Sequence, residues 1–122
     1  MVPQARKREI VDEVYELLRE AAVRRHPVAA IYDGRLRLLC PHVLGRKSGR
    51  LHGLFYQFGG SSRSGLAVGP EGAGEWRCLS VEKLSQVEFC ADPWHTESRS
   101  RRQTCVDEVD LDIDDQPGGE PQ

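Results

Sequence analysis

A chain of 122 residues with 30% charged side chains and a mean hydropathy of -0.53 is expected to fold as one domain around a single core. No apolar run approaches the roughly 20 residues that a membrane span requires. The opening stretch "MVPQARKREIVDEVYELL" lacks the apolar run of a secretory signal, so the expectation is no membrane partner and a cytoplasmic location. The net charge of -2 conceals an asymmetry. Residues 27–103 carry eleven Lys/Arg against seven Asp/Glu, whereas residues 104–122 carry seven acids and no Lys or Arg. A mildly basic body with an acidic end does not suit a DNA-packaging protein. It suits a small anionic ligand or a short nucleic-acid contact.

In chain order, Ile10, Val14, Leu17, Leu18 and Ala21 recur at helical spacing and predict a helix over 4–24 with one apolar stripe. His26-Pro27 ends it, because the residue before proline is pushed out of helical geometry. The period then changes to two. "VAAIY" (28–32) is a strand, Asp33-Gly34 a tight turn, and "RLRLL" (35–39) a returning strand. Arg35 and Arg37 fall on one of its faces, Leu36 and Leu38 on the other, and Cys40 continues the leucine face as a buried thiol. "GRKSG" (45–49) is a polar turn. "LHGLFYQF" (51–58) is apolar on both faces and predicts a central strand covered on both sides.

Residues 59–75 hold six glycines, three serines and one proline, and read as a long surface loop without the G-K-[ST] of a phosphate-binding P-loop. "WRCLS" (76–80) and "SQVEFC" (85–90) are two further strands. Residues 91–104 are irregular, with Trp94 as their large anchor. In 105–115, Val109, Leu111 and Ile113 alternate with Asp110, Asp112 and Asp114, the pattern of a half-buried edge strand whose charges discourage pairing between chains. Residues 116–122 read as a disordered tail.

Cys40, Cys78, Cys90 and Cys105 contain no C-x-x-C pair, and in a reducing compartment all four are expected free and mostly buried. Cys40 and His42 share a strand face, with His52, His95 or Cys105 as further candidate zinc ligands. C-x-H is not a common zinc spacing, however, and no metal site is assigned. Thiol catalysis through Cys105 with His95, or Cys40 with His42, lacks any flanking motif. The chain is therefore expected to be no enzyme and to carry no cofactor. Arg35, Arg37, Arg46, Lys47 and Arg50 are expected to form one positive face joined by Lys83, with Tyr32, Tyr56 or Trp76 beside it to stack on bases.

Tyr32 at a strand end, Arg37 through Pro41 as R-x-x-x-P, the central strand "LHGLFYQF" and the later "LSVEKLSQVEF" follow one helix in an order that resembles the WYL domain of bacterial regulators, over residues 10–90. The signature itself reads His52-Gly53-Leu54, and the family's D-R-I reads Glu82-Lys83-Leu84. The resemblance implies an Sm-like or SH3-like barrel that senses nucleotides or nucleic acids and regulates an attached DNA-binding module. It makes Arg37 and Lys83 the ligand-facing cations. The aromatic missing at Gly53 would take with it a stacking surface worth about 1–3 kcal/mol per base. A single helix supplies no helix-turn-helix, so regulation would run through a partner chain.

The expectation is thus an α+β, mostly β chain: a small SH3/Sm-like barrel or bent antiparallel sheet with one N-terminal helix. Residues 1–26 form the helix, 27–90 the WYL-like core, 91–115 an extension with an edge strand, and 116–122 the tail. Arg37, Lys83 and Arg35 are the candidate ligand-binding residues, lined by Tyr32 and His52, for a nucleotide or nucleic acid. The alternative is a protein-interaction or structural module whose acidic strand 105–115 pairs with another chain or a second copy.

Overall fold

The fold is described from a computed structural model covering residues 4–60, 74–97 and 103–114, with side chains from residue 10 onward. The interior of the glycine-rich loop, the basic run 98–102 and the tail 116–122 lie outside the described residues. Helix α1 spans Gln4–Arg24. It buries Leu18 and Ala21 against the sheet, with Val11, Val14 and Leu17 packed beside them. Ile10, expected in that stripe, is 53% exposed, and Val11 takes the inward position instead. The helix closes with Arg25 at φ 57°, His26 N–H donating to the Ala21 carbonyl (2.9 Å) and Arg25 N–H to that of Ala22 (3.3 Å). This Schellman arrangement satisfies the terminal carbonyls before Pro27 forbids further helix.

Six strands follow: β1 (Val28–Tyr32), β2 (Arg35–Lys47), β3 (Arg50–Gly60), β4 (Glu75–Ser80), β5 (Leu84–Phe89) and β6 (Glu108–Asp112), with a 3-10 turn over Val81–Lys83. All pair antiparallel in the order β4-β3-β2-β1-β5, and β6 pairs with the second half of β2. Only three residues join the two ends of that path, β4 and β5, so the sheet must curl. It does not close, because β4 and β5 share no ladder among the described residues. The small α+β fold is a helix packed on a bent sheet, with β2 in the middle of the order and β3 an interior strand apolar on both faces.

Both tight turns place two residues in the left-handed region, Asp33 (55°) with Gly34 (74°) and Ser48 (52°) with Gly49 (82°). That conformation matches the twist of paired strands. The five-residue turn expected at 45–49 therefore shrinks to two residues, and β2 runs 13 residues rather than five. Gly45 is not a turn residue. A Cβ there would collide with the Glu108 carbonyl oxygen, so glycine lets β6 approach β2 closely.

The face toward α1 holds Val28, Ala30, Leu39, Leu44, Phe55, Leu79 and Leu84 in one buried cluster. Fully burying side chains such as Leu18 or Phe55 contributes about 1.5–3 kcal/mol each. The opposite face holds Val43, Leu54 and Trp76, covered by Cys105 and Val106. Two expectations reverse here. Leu36, placed in the core by its alternation, is 43% exposed, while Arg37 is only 9% exposed. Register explains the reversal: Arg37 sits opposite Ala30, whose small side chain on the helix-facing side leaves room for an arginine stem. In β6 the expected inward row of Val109, Leu111 and Ile113 is broken, and Val109 is 51% exposed. Leu44 pairs with Leu111 and Gly45 with Val109, which makes Asp110 a bulge residue aimed at the helix.

Cys78 of β4 and Cys105 of the covering segment form a disulfide with Cα atoms 5.4 Å apart, so two thiols are free rather than four. The fold brings to one sheet face two residues that are 27 apart in sequence. Disulfides persist in oxidising compartments, so the cysteines give no support to the cytoplasm. Among the described residues no helix is long and apolar enough to cross a membrane.

Candidate anion-binding site

The β1–β2 hairpin sets Tyr32 opposite Arg35 and Ala30 opposite Arg37. β3 brings Gln57 opposite Leu39, and β4 brings Glu75 opposite Gln57. The Arg37 guanidinium consequently lies among three strands. Its Nη1 donates to Gln57 Oε1 (3.2 Å) and its Nη2 to the Tyr32 carbonyl (3.4 Å). Its central carbon stands 5.5 Å from the Tyr32 ring centroid, within cation–π range. No carboxylate of the described residues pairs with it, and its buried Nε–H meets no acceptor among them.

Arg77, on the same parity of β4 as buried Leu79, completes the cluster. Burial first, and then the charges of Arg77 and Arg35, lower the pKa of Arg37 from the ordinary guanidinium value. Arg35 faces Asp33 at 3.4 Å, and Arg77 Nη2 donates to Glu75 Oε1 at 2.8 Å. The buried Nε–H of Arg77 is likewise unmet among the described residues. Three arginines therefore gather beside two carboxylates, and the most buried cation has none of its own.

Of the residues expected at a site, Arg35, Arg37 and Tyr32 come together. Lys83 stands exposed at the end of the 3-10 turn, next to Leu84, the ladder partner of Tyr32. No described residue hydrogen-bonds or ion-pairs with it. His52 belongs to the other face: it alternates with Leu51 and Phe55 of the helix-side core, and its buried Nδ1 has no partner among the described residues. Tyr56 and Trp76, expected beside the cations, also lie on that other face, edge to face at 5.1 Å. Arg77 and Gln57 were missed. The parity that Arg77 shares with Leu79 was the signal available.

The expected single positive face is split. Arg46 lies nine positions along β2 from Arg37, roughly 30 Å at strand rise. At the far end the cations are engaged locally, Arg46 with the Gly49 carbonyl, Lys47 with Asp107 (3.5 Å) and Arg50 with Glu82 (3.3 Å). One acid of β6 is engaged within the same chain too: Asp110 accepts from Tyr15 Oη (2.8 Å) and pairs with Arg19.

The Cys/His candidates resolve differently. His42 sits at a bulge of β2, buried between the rings of Trp76 (4.7 Å) and Trp94 (5.3 Å), and its Nδ1 meets Asp114 Oδ2 at 2.9 Å. Cys40 is fully buried, accepts from the His95 N–H at 3.4 Å, and burial pushes its thiol up to about 12. That is the wrong direction for a nucleophile. Cys105 is bridged to Cys78. Among the described residues no three His, Cys, Asp or Glu side chains are grouped to hold a metal. An aromatic at Gly53 has no room: a Cβ there would lie 2.8 Å from the Phe55 ring and 2.9 Å from Leu44 Cδ2.

No family model, curated protein or solved structure matches the chain.

Proposed function

We propose that the chain is a non-catalytic, WYL-like ligand-binding module in which Arg35, Arg37 and Arg77 hold the phosphate of a nucleotide or nucleic acid. Arg37 carries this reading. A buried guanidinium with no ion pair of its own among the described residues, beside two further arginines, bears a desolvation cost that a bound anion would offset. Guanidinium groups recognise phosphate through charge-assisted bonds, which are the stronger kind. Lys83, one residue from the partner of Tyr32, would add long-range attraction rather than contact. The alternative, an acidic strand that pairs with another chain, has less support, because β6 already pairs with β2 and Asp110 is bonded to the helix.

The test is binding of a short oligonucleotide and of a nucleotide at low ionic strength, with Arg37→Gln as the informative variant. Removing one charge-assisted donor set worth about 1.5–3 kcal/mol predicts affinity roughly 10- to 100-fold weaker. Lys83→Ala should cost less. Wild-type protein with no affinity for either probe at low salt would overturn the proposal.

A further inference from the structure

We infer that this cluster takes a single phosphate group and does not read the base attached to it. The inference rests on the anion-binding reading above and narrows its ligand class. The first support is charge. Arg35 pairs with Asp33 and Arg77 with Glu75, while Arg37 makes no ion pair of its own among the described residues and feels Asp33 only through space. Three arginines and two carboxylates leave the cluster one positive charge in excess. A site with one uncompensated positive charge suits one phosphate, not a triphosphate and not a run of backbone contacts.

The second support is the state of the aromatic side chains. Recognition of a base needs an open ring face on which to stack. Tyr32 is the aromatic beside the arginines, and one face of its ring is already covered by the Arg37 guanidinium. Its hydroxyl accepts the Ser80 N–H at 3.4 Å, and its ring packs against the helix-side core. Phe55 is fully buried. Tyr56 and Trp76 pair with each other on the opposite sheet face, where Tyr56 Oη also donates to Glu97 at 2.7 Å. The arginine face thus offers N–H donors and charge, and among the described residues no ring free to stack. Gly53, where the resemblance would put an aromatic, is closed by Phe55 and Leu44.

The wild-type full chain decides this without any variant. Fluorescence anisotropy would compare a short oligothymidylate with an abasic backbone of equal length, and ribose 5-phosphate would be titrated by calorimetry. The two polymers are expected to bind alike. Their salt dependence is expected near -0.7 in log K against log [salt], the value for one single-strand phosphate. A preference of about tenfold or more for the base-bearing strand, the effect of even one stacked base, would overturn the inference while leaving the anion site standing. A slope steeper than about -2 would overturn the single-phosphate assignment in the same way. Absence of binding by all three probes would instead overturn the proposed function. Binding by the polymers alone assigns the phosphodiester as the ligand, and binding by ribose 5-phosphate assigns a terminal phosphate. Either result upholds recognition without the base.

Discussion

A guanidinium is carried inside a sheet when its stem is packed and its N–H groups are met, and Arg37 meets those conditions only in part. Its Nη1 satisfies the fully buried Gln57 Oε1, and Gln57 in turn donates from Nε2 to the Gly59 carbonyl at 3.1 Å. Arg37→Met would strand that oxygen, a loss of about 1–3 kcal/mol set against the desolvation cost removed with the charge. Adding Gln57→Leu should make the double variant more stable than Arg37→Met alone. A double-mutant cycle of urea unfolding measures the coupling, and strict additivity would contradict the pairing. Cys40 gives a pH dependence. Burial raises its thiol from an ordinary value of 9.0 to about 12, so the folded state keeps a proton that the unfolded state releases. This contribution is complete below pH 9 and is lost as pH rises from 9 to 12. The urea midpoint of the wild type should fall more steeply across that window than that of Cys40→Ala. At this scale period two separated Arg35 and Arg37 from Leu36 on opposite strand faces, but did not show which of those faces points inward. It misled at Leu36 and His52, because which face of a strand points inward depends on a partner that the strand itself does not encode.

Among the elements, β2 shows how one glycine can carry two meanings. Gly45, followed by Arg46 and Lys47, reads locally as the start of a turn, yet it lies within a 13-residue strand at the crossing of β6. Gly45→Ala puts a methyl group against the Glu108 carbonyl and Val106, and such overpacking is expected to cost about 1–3 kcal/mol. The damage should be local. Hydrogen exchange should speed up at the Asp107 and Ile113 amides, which donate to Arg46 and His42 carbonyls, while the β1–β2 ladder keeps its protection. Uniform acceleration would mean that β6 is no separate unit. The helix, the two hairpins and the two-sided character of β3 were legible because each obeys its own period and turn chemistry, while the place of β2 at the middle of the sheet was not. The bulges that aim Asp110 at α1 and free His42 from the ladder were not, because a bulge is a relation between two strands.

For the whole molecule, the covering segment decides most of what local pattern could not show. His95 stacks on Phe58 at 4.4 Å, Glu97 accepts from Tyr56, Val106 joins the second cluster, and β6 closes on β2. The acidic end therefore meets the basic body within the molecule through Lys47 with Asp107, and the helix through Arg19 with Asp110. The curl of the sheet was legible in its tight turns, although β2 and β3 run longer than the short strands expected. The disulfide was not, because its partners are 27 residues apart and carry no spacing motif. Replacing both Cys78 and Cys105 by serine releases a loop of that length and is expected to lower stability by about 3.5 kcal/mol. Chemical denaturation of oxidised wild type and double variant measures it, and equal midpoints would mean that the bridge contributes nothing.

The same bridge makes every peptide bond between Cys78 and Cys105 part of a covalent ring. The 3-10 turn, β5 and the segment carrying Trp94 and His95 all belong to it, while α1 and β1 to β3 precede it and β6 follows it. A protease that cuts once inside the ring separates no mass: the two pieces stay linked, and β6 stays tethered to the β4 end of the sheet. Such a nicked chain keeps its full size without reductant and falls into two fragments with it.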